Sequence, residues 1–163
     1  MKIIVVGHGM VGHKFLEELH QLQLPQVEVT VLCEEPRAAY DRVHLSEFFS
    51  GKTADELSLV EPGFFEKSGF SLRLKARAVA IERRNNTVTT ADGEVLPYDK
   101  LVLATGSIPF VPSVPGRERP HCFVYRTIED LEAMQASGAK SKTGVVIGGG
   151  RLGLECAKAL RDL

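Results

Sequence analysis

The chain has 163 residues, 44% of them apolar and 25% charged, and its 20 basic and 21 acidic side chains give a net charge of −1. That composition supports one buried core, or one domain with part of a second, and excludes an intrinsically disordered chain. The basic excess of a protein held on nucleic-acid phosphates is missing, and no apolar run approaches the ~18 residues of a membrane span.

Residues 2–6 form a continuous run of Lys, Ile and Val, the pattern of a strand buried on both faces. The run stops at Gly7, too short for the core of a secretory signal, so the chain reads as soluble and cytosolic. Residues 7–12 are a glycine-rich turn. Val11, Phe15, Leu16, Leu19 and Leu22 then recur at helical spacing, predicting an amphipathic helix over 10–22 that Pro25 ends. Alternation of Val27, Val29, Val31 and Cys33 predicts a second strand over 27–33. Strand, helix and strand make a right-handed βαβ unit with parallel strands.

Residues 34–70 read as loops with short helices at 45–49 and 62–67, and 71–75 as a short strand. Over 77–98, Asn85-Asn86 and Asp92-Gly93 separate three short segments, which predicts an antiparallel meander. Residues 100–104 (KLVLA) read as a further buried strand running into Thr105-Gly106. Pro109, Pro112, Pro115 and Pro120 exclude a helix or central strand over 107–120, which reads as a linker. Thr127 with Asp130 resembles a capping box and predicts a helix to about Ala136. Residues 143–147 read as a strand, 148–153 as a second glycine turn and 152–163 as a helix, with no second strand after it.

The three cysteines, Cys33, Cys122 and Cys156, are far apart in sequence, so neither a zinc site nor a redox-active dithiol is encoded locally. Cys33 and Cys156 sit in apolar patterns and read as core residues.

The most informative feature is an internal repeat. KIIVVGHGMVG and GVVIGGGRLGL each place a strand, a G-x-G-x-x-G and a helix in the same order. Such a turn suits the pyrophosphate of a dinucleotide. A helix N-terminus offers unsatisfied N–H groups and a partial positive charge. The first glycine makes the turn, the second lets the phosphate approach, and the third lets helix and strand pack closely. Gly7, Gly9 and Gly12 fit these roles, as do Gly148, Gly150 and Gly153. Glu34 and Glu35 close the second strand roughly 20 residues beyond Gly12, where a carboxylate accepts from ribose hydroxyls. The alternative is that these glycines punctuate loops and the glutamates cap a solvated strand end. The second copy has no ribose-binding acid within the chain.

GHGMVG, the glutamates after the second strand, the meander, LVLATGSIPFVPSVPG and GGGRLGLE together resemble the two-dinucleotide flavoprotein reductases, the pyridine nucleotide–disulphide oxidoreductase superfamily. The resemblance covers essentially the whole chain. It implies an α/β chain: a Rossmann-like FAD-binding fold with a parallel sheet and an inserted antiparallel meander, followed by the start of a second Rossmann unit. The implied domains are 1–112 for FAD, 113–120 as linker and 121–163 as the incomplete start of an NAD(P)H-binding domain. FAD would then meet Gly7, Gly9, Met10, Val11, Gly12, Glu34, Glu35, Ala78 and Val79. The motif Ala104-Thr105-Gly106 would close over it. NAD(P)H would meet Gly148, Gly150, Gly153 and Glu155.

EEPRAAYDRVHLSEFFSG, ELSLV and CFVYRTIEDLEAM look like the amino-terminal region of the NAD(P)H-dependent nitrite reductase branch. That branch passes electrons to iron–sulphur and sirohaem domains further along a longer chain, or they go to a separate acceptor. Arg42 matches an arginine near the FAD phosphates or ribose, where a guanidinium fork suits an anionic oxygen. The alternative for Arg42 is an ion pair with Asp41 or Glu35. For Glu155 it is a solvated helix face.

Glu47 stands where some relatives carry a flavin-tuning lysine, and reads as a helix-face residue. Without a cysteine pair, a disulphide substrate is disfavoured. Tyr40, His44 and His121 read as packing or polar-contact residues rather than acids and bases, because the cofactors carry hydride chemistry. The family's FAD domain is completed by a later segment, so exposed apolar surface that a homo-oligomer would bury is expected. The isolated stretch is expected to turn over weakly or not at all. Two other readings stay open: a non-catalytic FAD- or nucleotide-binding module, and a single Rossmann domain sensing NAD. The ATG motif and proline linker favour FAD in the first site.

Overall fold

A computed structural model describes residues 1–161. The chain divides into two compact units, one over Met1–Tyr40 and Ser58–Gly106, the other over Asp41–Leu57 and from Ser107 onward. Residues 41–57, which sequence reasoning keeps with the first 112, therefore cluster with the later part of the chain.

The first unit is built on a four-stranded sheet in the order β3-β2-β1-β7. Its strands are β1 (Lys2–Val6), β2 (Glu28–Leu32), β3 (Ser71–Arg73) and β7 (Lys100–Leu103), each parallel to its neighbours. Side chains of β1 alternate between two faces, as the pleat requires. Ile3 and Val5 pack with Leu16 and Leu19 of α1 (Met10–Gln21), with Val29 and Val31, and against Phe64 and Phe65 of α2 (Phe64–Ser68). Ile4 packs on the opposite face with Leu32 and Val88. Val88 belongs to the predicted meander, which forms as β4 (Ala78–Glu82), β5 (Thr87–Thr90) and β6 (Val95–Pro97), antiparallel in sequence order. Both faces of β1 are thus covered, which explains its unbroken apolar run. Each side chain so buried contributes roughly 1.5–3 kcal/mol.

Two strand expectations need correction. The segment 100–104 is not a buried strand: β7 ends at Leu103, which is 59% exposed, because β7 lies at the sheet edge with β1 as its one strand neighbour. Residues 143–147 form no strand. Val145 and Ile147 are 82% and 80% exposed, and no strand among the described residues pairs with the segment. A strand needs a hydrogen-bonded neighbour, whatever its propensity.

In the second unit a 3₁₀ helix (Leu45–Ser50) packs against α3 (Ile128–Gly138) and α4 (Arg151–Arg161). Residues 162–163, the expected end of the last helix, lie outside the described residues. Ile128, Leu131 and Met134 form the buried stripe of α3. The capping box is present: Thr127 Oγ1 accepts the Asp130 N–H at 3.2 Å, and Asp130 accepts the Thr127 N–H at 2.8 Å. Thr127→Ala is expected to cost ~1 kcal/mol, read as a lower midpoint in urea with an unchanged slope. Cys33 is buried as expected, Cys156 only half-buried and Cys122 exposed.

Candidate functional site

The first glycine turn lies at the carboxyl ends of β1, β2 and β7, on the strand where chain order reverses direction across the sheet. Open α/β sheets bind ligands at such a switch point. Gly7 donates its N–H to the Leu32 carbonyl, and Ala104 donates to the Val6 carbonyl, both at 2.8 Å. These bonds draw the ends of three strands together.

The three glycines then play separate parts. Gly7 has φ +103°, and a Cβ there would overlap the Ala104 carbonyl. A Cβ on Gly12 would overlap the Gly7 carbonyl, so helix and turn approach as closely as glycine permits. Gly9 has ordinary extended backbone, and a Cβ there would meet nothing within 4 Å. The space is open where a phosphate must come closest to backbone. Gly9 caps α1 without a side-chain hydrogen bond, and the first helical turn holds no acidic residue. The N–H groups of Met10, Val11 and Gly12 have no intrahelical acceptor and carry the positive end of the helix dipole. A dianionic pyrophosphate fits this cradle.

Beyond β2, Glu34 is exposed, with its Oε1 3.6 Å from Arg77 Nη1. Glu35 is half-buried and accepts the Tyr40 hydroxyl at 2.7 Å. Lys75 donates its N–H to the Glu35 carbonyl at 3.1 Å, and Ala76 donates to the Cys33 carbonyl at 2.8 Å. The start of the meander is thereby tied to the end of β2. Ala78 packs on the Ile4, Leu32 and Val88 cluster, while Val79 is exposed. Thr105 and Gly106 continue from β7 beside Gly7, and Gly106 has φ +69°. The first unit thus gathers the first glycine turn, both glutamates, Ala78, Val79 and the Ala104-Thr105-Gly106 motif.

The remaining expected residues belong to the second unit. There Gly148 has φ +122°, a Cβ on Gly153 would overlap the Gly148 carbonyl, and Gly150 is open. The second turn repeats the local shape of the first although its leading strand has not formed. Glu155 pairs with Arg151 Nε at 3.3 Å, and Arg42 Nη1 donates to the Arg126 carbonyl at 3.0 Å.

The residues expected to make polar contacts do so. Tyr40 holds Glu35, His44 pairs with Asp41 at 2.6 Å, and His121 meets Ser137 at 2.8 Å. The hydrogen bond to Asp41 raises the His44 imidazole above its usual range. Glu47 pairs with Lys52. One residue escaped the sequence reading: buried His8, whose Nδ1 accepts the Ala39 N–H across 31 positions of chain. No local periodicity reports such a contact. Among the described residues no cluster of three metal-ligating side chains occurs, and no helix is long and apolar enough to cross a membrane.

The family described as pyridine nucleotide-disulphide oxidoreductase matches residues 1–163. The chain is 53% identical over 166 residues to the NAD(P)H nitrite reductase large subunit of Klebsiella oxytoca, with 99% of this chain covered. It is 49% identical over 164 residues to the NADH nitrite reductase large subunit of Escherichia coli strain K12, with 100% covered. It spans only 17% and 19% of those two relatives' length. A ferredoxin reductase for the CYP199A2 system from Rhodopseudomonas palustris superposes with a TM-score of 0.90 at 28% identity, over 98% of this chain and 40% of that one. A switch-point glycine cradle on a parallel sheet, a meander on the opposite sheet face and a whole-length family match agree: the chain belongs to the pyridine nucleotide-disulphide oxidoreductase family.

Proposed function

We propose that residues 1–112 hold FAD, that 113–120 link, and that residues from 121 onward begin a domain for NAD(P)H. In this reading the chain is the flavin-binding part of an NAD(P)H-dependent reductase of the nitrite reductase type. Its likeness to two nitrite reductase large subunits supports that choice. The observation that carries the reading is the open space at Gly9 below an uncapped, acid-free helix start.

Bound FAD supplies an acceptor for the hydride of NAD(P)H and a donor of electrons to a further centre. The chain's own residues bind and orient. The amides of Met10, Val11 and Gly12 donate to the pyrophosphate. Glu34 accepts from the adenosine ribose, with Glu35 steadied by Tyr40 beside it. Ala78, Val79 and Ala104-Thr105-Gly106 line the same cofactor, and Arg42 meets an anionic oxygen. Gly148, Gly150 and Gly153 take the NAD(P)H pyrophosphate, and Glu155 its carboxamide. In this reading the acceptor of those electrons would be iron–sulphur and sirohaem domains downstream, or a separate iron–sulphur protein.

The purified protein should be yellow and release FAD on heat denaturation. A colourless protein that binds NAD would overturn the flavin assignment and favour a nucleotide sensor. A yellow protein whose full-length form is not bleached by NADH or NADPH would be a flavin-binding module without reductase activity. Glu34→Ala is expected to weaken FAD binding by roughly 1–3 kcal/mol, the usual cost of unpairing a charged hydrogen bond. Titration of apoprotein with FAD measures it. Loss in Glu35→Ala but not in Glu34→Ala would move the ribose contact by one residue.

A further inference from the structure

His8 lies between Gly7 and Gly9 in the first glycine turn and is 4% exposed. Its Nδ1 accepts the Ala39 N–H at 3.0 Å. An accepting ring nitrogen carries no proton, so the proton of neutral His8 is on Nε2. That Nε2 is buried without a partner, as is Nδ1 of His13. His13 of α1 and Phe65 of α2 each meet the His8 ring edge-on, with centroids 5.4 Å away. His13 Nε2 lies 3.0 Å from the Leu59 carbonyl and 3.6 Å from Glu17 Oε1. The titratable group facing His8 from α1 is thus His13, with Glu17 beyond it. From α2 the facing group is apolar. Burial, and then the nearby His13, push the His8 imidazole down to about 4. It is neutral at neutral pH, and its Nδ1 lone pair stays available to Ala39.

Ala39 ends a segment that carries both glutamates. Residues 34–39 form neither helix nor strand, and an antiparallel bridge between Tyr40 and Ser58 follows at the segment's end. Contacts that fix their course include the Lys75 N–H to the Glu35 carbonyl at 3.1 Å, the Leu59 N–H to the Ala39 carbonyl at 3.0 Å, Cys33 Sγ to the Arg37 carbonyl at 3.5 Å, Tyr40 to Glu35 at 2.7 Å, and Ala39 to His8 at 3.0 Å. Of these, the His8 bond joins the segment to the glycine turn. Ala39 is 2% exposed, so its N–H has no recourse to water if the acceptor is lost.

We propose that His8 is a positioning residue of the dinucleotide site: its Nδ1 holds residues 34–39, and with them the ribose-binding carboxylate, in register with the pyrophosphate-binding turn. This rests on assigning that turn to FAD. His8→Leu keeps apolar volume and removes the acceptor. His8→Asn keeps an acceptor, because an asparagine Oδ1 takes nearly the place of a histidine Nδ1.

The experiment titrates parent, H8L and H8N apoproteins with FAD at pH 7, following flavin fluorescence, alongside amide hydrogen exchange and ¹⁵N spectra. H8L is expected to bind FAD about tenfold or more weakly, and H8N within about threefold of the parent. The Ala39 N–H should be protected in the parent and in H8N and exposed to exchange in H8L. The parent ¹⁵N spectrum should show the Nε2–H tautomer of His8 between pH 7 and pH 5. An Nδ1–H tautomer overturns the proposal even where H8L does not fold. So does equal FAD affinity in H8L and H8N with only melting temperatures lowered, since that is a packing role. If the parent binds no FAD, the flavin reading fails on its own. The register role is then judged on Ala39 exchange, and equal protection in all three proteins overturns it.

Discussion

A chain carrying Gly9→Val is expected to fold normally and to hold no flavin. Gly9 has extended backbone that valine adopts freely, and a Cβ there touches nothing within 4 Å. The cost to the fold is about 1 kcal/mol, for a poor helix N-cap in place of glycine. The cost to the cofactor is far larger. In the proposed binding mode the pyrophosphate approaches the Met10, Val11 and Gly12 amides through the space that the branched side chain would occupy. We expect at least ~100-fold weaker binding, about 3 kcal/mol. Far-UV circular dichroism and thermal melting read the fold, and flavin absorbance reads the site. Undiminished flavin in a folded variant would remove the turn from the proposed mechanism.

Gly7→Ala is expected to act in the opposite sense, on the fold first. At φ +103° an L side chain is strained, a penalty of roughly 1–2 kcal/mol. Its Cβ would also overlap the Ala104 carbonyl, which is backbone anchored to β1 by the hydrogen bond to Val6. Prising apart two parallel strand ends costs a further ~1–3 kcal/mol. The sum of about 2–5 kcal/mol is a large share of a total stability of ~5–15 kcal/mol. Urea unfolding should show a much lower midpoint, and flavin should be lost together with structure. A Gly7→Ala protein as stable as the parent would mean that the β1–β7 junction yields more readily than its geometry implies. The two variants sit two residues apart in one motif, so the contrast between them separates the turn's binding role from its packing role.

Much of the first unit was legible because its signals are local. The apolar run of β1, the helical spacing of α1 and the alternation in β2 each report a periodicity within a dozen residues, and the structure realises all three. The Asp92-Gly93 turn and the Thr127–Asp130 capping box are likewise short-range chemistry. The geometry of the glycine turn was readable too, because spacing alone picks out the positive-φ turn at Gly7, the open space at Gly9 and the close packing at Gly12.

Sequence by itself therefore determined the order of elements up to α3, the two glycine turns and the family they belong to. Tertiary structure alone decided what depends on partners distant in the chain. KLVLA and TGVVI look equally strand-like, yet residues 100–103 found β1 to pair with, and 143–147 found no strand among the described residues. Even β7 is half-exposed, since burial is set by what covers a strand and not by its composition. Adjacent Glu34 and Glu35 are indistinguishable by spacing, but only Glu35 receives the Tyr40 hydroxyl while Glu34 stays exposed near Arg77. His8 reads as one variable position of a glycine motif until the fold brings the Ala39 amide to its ring. Local propensity acts over a few residues, whereas pairing, cover and hydrogen-bond partners are supplied by chain that returns from far away.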